Sequence, residues 1–172
     1  QGRNDVRAIG KYRKHSEPMQ VISGRIDAPT IHFEAPPSAT VVEEMTKYNH
    51  WFNATGIAGD TPLPALTRAG LARLYFECLH PFEDGNSRVG RALADHVLAQ
   101  ELATTQRIFS LSWQIQTERK DYYAQLNAAT LVAPTAPKGI DVTAWVLWYI
   151  GVFTRGCEHS MSVIRQASDK AA

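Results

Sequence analysis

The chain has 172 residues, 44% of them hydrophobic, and its 18 Lys and Arg nearly balance 17 Asp and Glu for a net charge near +1. That suits about one domain with a self-sufficient core, and it excludes the broad basic footprint of a nucleic-acid-binding protein. No apolar run nears the ~20 residues of a membrane span. Cys78 and Cys157 lack any CxxC spacing and read as buried thiols in the reducing cytoplasm, not as a zinc site or disulfide framework.

Residues 1–18 are polar and irregular; Ile9 and Tyr12 could anchor them, and KYRK at 11–14 reads as a solvated basic run. The chain opens on Gln1 without a methionine, so we expect a fragment of a longer polypeptide. MQVISGRIDAPTIHFEAPP then predicts a β-hairpin. Val21 and Ile22 lead in, the polar tip runs through Asp27, Ala28 and Pro29, and Ile31 and Phe33 return with His32 and Glu34 on the other face. Pro36-Pro37 ends it, since proline donates no ladder hydrogen bond.

The remainder reads as helix. Thr40-Val-Val-Glu43 is a capping-box pattern, followed by Val41, Met45, Tyr48 and Phe52 at helical spacing, with Gly56 as the C-cap. Pro62 and Pro64 open a second helix with a stripe of Leu66, Gly70, Leu74 and Cys78, with Leu71 and Tyr75 beside it, ending at His80-Pro81 because a residue before proline is driven out of the α region. A third helix starts near Asn86 or Ser87 and carries Val89, Leu93 and Val97. A fourth spans about Gln114 to Leu131; after the loop APTAPKG, Asp141 caps a last helix running past Trp145, Tyr149 and Phe153. The expected class is all-α with one β-hairpin, a single domain over 1–172. Trp145 and Trp148 read as core, and His50, His96 and His159 as structural.

Between the second and third helices lies LHPFEDGNSRVGRAL. The first-turn N–H groups of the third helix, around Gly85 to Arg88, have no intrahelical partner and carry the positive end of the helix dipole. Gly85 permits a positive φ, and Arg88 and Arg91, three apart, share one face near that terminus. Two guanidiniums there suit a di- or triphosphate. Asp84 is a hard oxygen ligand suited to Mg²⁺, and His80 can accept a proton from a hydroxyl nucleophile at neutral pH. Phe82, between polar neighbours, should turn inward and pin the loop. The residues support direct transfer of a phosphorus group to a hydroxyl. They also allow a plain turn of Pro, Asp, Gly and Asn, or metal hydrolysis by His80, Asp84 and His96.

HPFEDGNSRVGR resembles the signature H-x-F-x-[D/E]-G-N-G-R-x-x-R of the Fic (filamentation induced by cAMP) domain family, with His80, Phe82, Asp84, Gly85, Asn86, Arg88 and Arg91 in register. VISGRIDAPTIHFEAPP is similar to the family's flap, and ERKDYYAQL to the segment after its motif. The resemblance implies a Fic-type helical bundle with a hairpin flap over the active-site loop. It implies transfer of AMP from ATP to a Ser, Thr or Tyr hydroxyl of a protein. His80 would be the general base and Asp84 would hold Mg²⁺. Gly85, Asn86, Ser87, Arg88 and Arg91 would bind the phosphates, with Tyr122 and the flap residues Ile31, His32 and Phe33 against the nucleotide. The target protein would pair along the flap, residues about 20–35, and relatives suggest a homo-oligomer.

Two departures accompany it. Ser87 replaces the family's second glycine, so phosphotransfer from a reversed ATP, or a silent nucleotide-binding module, stands beside AMP transfer. No stretch completes the inhibitory pattern [S/T]-x-x-x-E-[G/N]; Thr40–Glu44 and Thr154–Glu158 read as helix surface. An inhibitory helix from a missing segment would contact Arg91.

Overall fold

The computed structural model describes residues 9–25, 27–103, 111–130 and 141–171, with the backbone alone at 21–24 and 28–32. The expectations for residues 1–8 and for the loop APTAPKG lie outside them. The chain forms two compact units, Gln1–Glu101 and Leu102–Ala172.

In the first unit β1 (Gln20–Arg25) pairs antiparallel with β2 (Ala28–Glu34) as a two-stranded hairpin. The ladder closes at Arg25↔Ala28, so Pro29 lies within β2 opposite Gly24 and not in the tip. A two-stranded ribbon tolerates this, because each strand keeps an open edge where proline's missing donor costs little. Val21 pairs with Phe33 but Ile22 with Ile31, which leaves His32 as the extra residue of a β-bulge. The bulge breaks the strict alternation expected across Ile31–Glu34.

After a single 3₁₀ turn at Ser38–Thr40 comes α1 (Val41–Ala54). The capping box does not form. Thr40 is already helical, and its hydroxyl donates back to the carbonyl of Pro37 at 2.9 Å. Thr55 caps the other end, and Gly56 lacks the left-handed φ expected of a C-cap. Its missing side chain instead makes room for Arg68, whose Nη2 would sit 3.3 Å from an added Cβ.

Helix α2 (Ala65–Leu79) starts after Pro64 and is buried on almost every side, carrying Arg68, Arg73 and Glu77 inside with Ala69, Ala72, Leu74 and Phe76. The expected stripe with Leu71 and Tyr75 beside it is therefore only part of what this helix buries. Val41, Met45 and Tyr48 of α1 pack on Phe76 and Leu79, and Tyr48 donates to the carbonyl of Ala72 at 3.2 Å. In α3 (Asn86–Glu101) the buried positions are Asn86, Gly90, Ala94, Val97 and Leu98, while Val89 is 36% exposed. The inward face is rotated by one residue from the expected stripe. Gly90 faces Phe76 and Glu77 of α2, where an added Cβ would make ordinary contact at 3.6 Å.

The second unit holds α4 (Leu111–Thr117), α5 (Arg119–Thr130) and α6 (Thr143–Ala171). The single helix expected over 114–131 is broken at Glu118. That carboxylate accepts from Gln114 and from Arg155 of α6, whose Nε lies at 2.7 Å. The cap at Asp141 forms, its Oδ1 accepting from the N–H of Thr143 at 2.9 Å. Trp145 is fully buried as expected, with Tyr149 and Val152, while Trp148 and Phe153 are half-buried. The fold class is all-α with one hairpin, and no described helix is long and apolar enough to cross a membrane.

Candidate active site

Helix α2 stops where proline requires it, and the stop is strained. His80 takes the left-handed conformation, φ 45° and ψ 56°, which a non-glycine residue adopts only when its surroundings enforce it. Pro81 is fully buried behind it. Phe82 turns inward against Tyr12 at 5.6 Å and Phe76 at 6.3 Å, the pinning expected of it.

Burial lowers the pKa of His80, an effect opposed by the charge and backbone of Glu77 and reinforced by the charge of Arg13. Its Nδ1 is enclosed without a well-formed hydrogen bond, which disfavours a doubly protonated ring. The imidazole is thus held neutral at pH 7, the state a base needs.

Arg13 was missed in the sequence. Read as part of a solvated run, it is 1% exposed, and its Nε donates to the carbonyl of His80 at 2.8 Å. No local signal marks it, since its partners lie far along the chain.

The loop after His80 is shaped by Asn86. That residue is 2% exposed; its Oδ1 accepts from the N–H of Phe82 at 2.9 Å and its Nδ2 donates to the Phe82 carbonyl at 2.7 Å. One N–H of Nδ2 and the Oδ1 are therefore engaged by the loop, and the second N–H of Nδ2 and the backbone N–H are the donors Asn86 could turn to an anion. Gly85 has φ 85°, the positive value anticipated. Its N–H is taken by Asp84 Oδ1 at 2.7 Å. The helical ladder begins with Val89 N–H to the Gly85 carbonyl at 3.0 Å, so the N–H groups of Asn86, Ser87 and Arg88 are left for an anion.

The charged side chains frame that terminus. Arg88 Nη2 reaches Asp84 Oδ2 at 3.3 Å in a largely exposed pair. Such a pair is weak, so both partners can be drawn to other ions. Arg91 Nη1 donates to Ser87 Oγ at 3.2 Å, which holds its guanidinium back over the first turn. Donor set and charge fit a polyphosphate, and Asp84 is the carboxylate that would hold a Mg²⁺ beside it. No group of three or more His, Cys, Asp or Glu among the described residues is placed to hold a metal alone, and His96 stacks on Phe52. The metal-hydrolysis reading has no cluster behind it.

The family model for the Fic/DOC family matches residues 2–98, more than half of the chain. The chain belongs to the Fic/DOC family. Among solved structures, a Fic domain containing signaling protein from Bacteroides thetaiotaomicron is similar, with a TM-score of 0.68 and 18% identity. The match covers 98% of this chain and 58% of that one, so this Fic chain spans a little over half of that protein's length. At this identity the likeness concerns fold alone.

Within the Fic fold the hairpin corresponds to the expected flap element; Ile31 and His32 lie in its backbone, and Phe33 is half-buried. Tyr122 belongs to the second unit, where it is 7% exposed and packed against Trp145 at 6.1 Å and Trp148 at 6.0 Å. Glu44, in one near-match to the inhibitory pattern, is engaged by Lys47 at 2.8 Å as an ordinary helix-surface pair.

Proposed function

We propose that this Fic domain transfers AMP from Mg-ATP to a Ser, Thr or Tyr hydroxyl of a protein, with His80 as general base. One observation carries the reading. A half-buried imidazole held neutral sits one short loop before a helix start that offers three N–H groups and two arginines. His80 Nε2 takes the hydroxyl proton as the new oxygen–phosphorus bond forms and the bond from the α-phosphate to pyrophosphate breaks. The N–H groups of Asn86, Ser87 and Arg88, with both guanidiniums, bind the phosphate oxygens. Arg88 exchanges its weak pair with Asp84 for phosphate, which frees Asp84 to hold Mg²⁺, whose chemistry is to neutralise charge on those oxygens. The open edges of β1 and β2 suit an extended target segment added as a further strand. Arg91 also suits a carboxylate from an inhibitory helix.

A second reading has its own support. The Ser87 hydroxyl and its bond to Arg91 occupy space that a glycine would leave open, which favours ATP bound the other way round and transfer of its terminal phosphate. Incubation with Mg²⁺, a cell lysate and ATP labelled at the α- or the γ-phosphate separates the two. α-Label on protein is expected. γ-Label alone, lost with the H80A variant and so not due to lysate kinases, would establish the second reading, and label dependent on His80 from neither would sink both.

A further inference from the structure

Arg13 binds three successive carbonyls at the end of α2. Its Nη2 donates to Leu79 at 3.3 Å, its Nε to His80 at 2.8 Å and its backbone N–H to Pro81 at 2.9 Å. Peptide planes on both sides of His80 are thereby fixed, including the one that must turn for the left-handed conformation. These carbonyls include the unpaired acceptors at the negative end of the helix dipole, where a guanidinium is well placed. On its other side the same guanidinium donates from Nη1 to Ser38 Oγ at 2.9 Å and from Nη2 to the carbonyl of Pro36. Pro36 and Ser38 lie between the end of β2 and the start of α1. Burying a charge this completely is costly unless its donors are met, and here four side-chain hydrogen bonds meet them.

We propose that Arg13 is a positioning residue that locks the exit of the hairpin to the loop bearing His80 and so sets the orientation of the imidazole. The proposal rests on His80 acting as the base. Arg13 touches neither nucleotide nor target; it acts through His80, and it makes the hairpin base and the catalytic turn one mechanical body. Lysine cannot replace it, because a single ammonium cannot hold both sides of the clasp.

The test uses R13Q, with folding checked by circular dichroism and the His80 ring titrated by NMR. Loss of the clasp and of its charge should raise the ring pKa toward the ordinary imidazole value. Transfer should show kcat about ten- to a hundred-fold lower, with KM for ATP unchanged. A folded R13Q with wild-type His80 titration and kcat would overturn the proposal, as would kcat and KM effects that merely track the folded fraction. If R13Q does not fold, R13K keeps the charge and the buried stem. It should shift the His80 ring resonances and lower kcat alone; wild-type resonances would overturn the proposal. The titration needs no turnover, so a wild-type protein without transfer would count against the adenylyl-transfer reading and leave Arg13 judged by NMR.

Discussion

The H80A variant should lose about 10²–10⁴-fold in transfer rate, the usual contribution of a positioned base, while its binding of Mg-ATP stays essentially unchanged. The two properties separate because the phosphate cradle is built from the start of α3 and the base from the end of α2. The pH profile carries the same signature. A base works only when unprotonated, so activity is full above the pKa of His80 and is lost as pH falls through it. Burial lowers that pKa, so the acid limb of kcat/KM should lie below the ~6.5 of a free imidazole. Steady-state rates across pH check both points. Wild-type transfer by H80A, or an acid limb above the ordinary value, would count against the assignment.

The N86A variant should be less stable by roughly 2–4 kcal/mol and should also transfer poorly per folded molecule. Its amide satisfies both polar groups of the Phe82 backbone in a part-buried loop. Leaving a buried donor or acceptor unmet costs about 1–3 kcal/mol each. Against a total stability of about 5–15 kcal/mol that is a large fraction, and chemical denaturation would read it directly. The second effect follows from geometry: without the staple, the turn from His80 to the first turn of α3 is no longer fixed. A variant as stable as wild type, with unimpaired transfer, would show that the loop is held by Phe82 packing and Gly85 alone.

Much of this turn could be read from sequence because its features are local. Proline stopped α2, Gly85 took the positive φ that its lack of a Cβ allows, and Phe82 turned inward. Other readings failed where tertiary contacts outweigh local pattern. Thr40 looked like a cap but extends a 3₁₀ turn. Val89 drew the stripe of α3 because large residues weigh more in a pattern, yet the smaller Gly90 and Ala94 lie on the inside. Arg13 was invisible for a related reason: its side-chain acceptors lie 23 to 67 residues away, and only the fold brings them together. The break between α4 and α5 falls at Glu118, whose carboxylate meets Arg155, 37 residues on.

The central claim is that the start of α3 is a polyphosphate site. Calorimetric titration of the folded chain with ATP, with Mg²⁺ or with EDTA, tests it most directly, with the R88A/R91A double variant alongside. The account predicts saturable one-to-one binding that weakens when Mg²⁺ is removed and is lost in the double variant. Absence of binding to the folded wild type, or binding indifferent to both arginines, would contradict it.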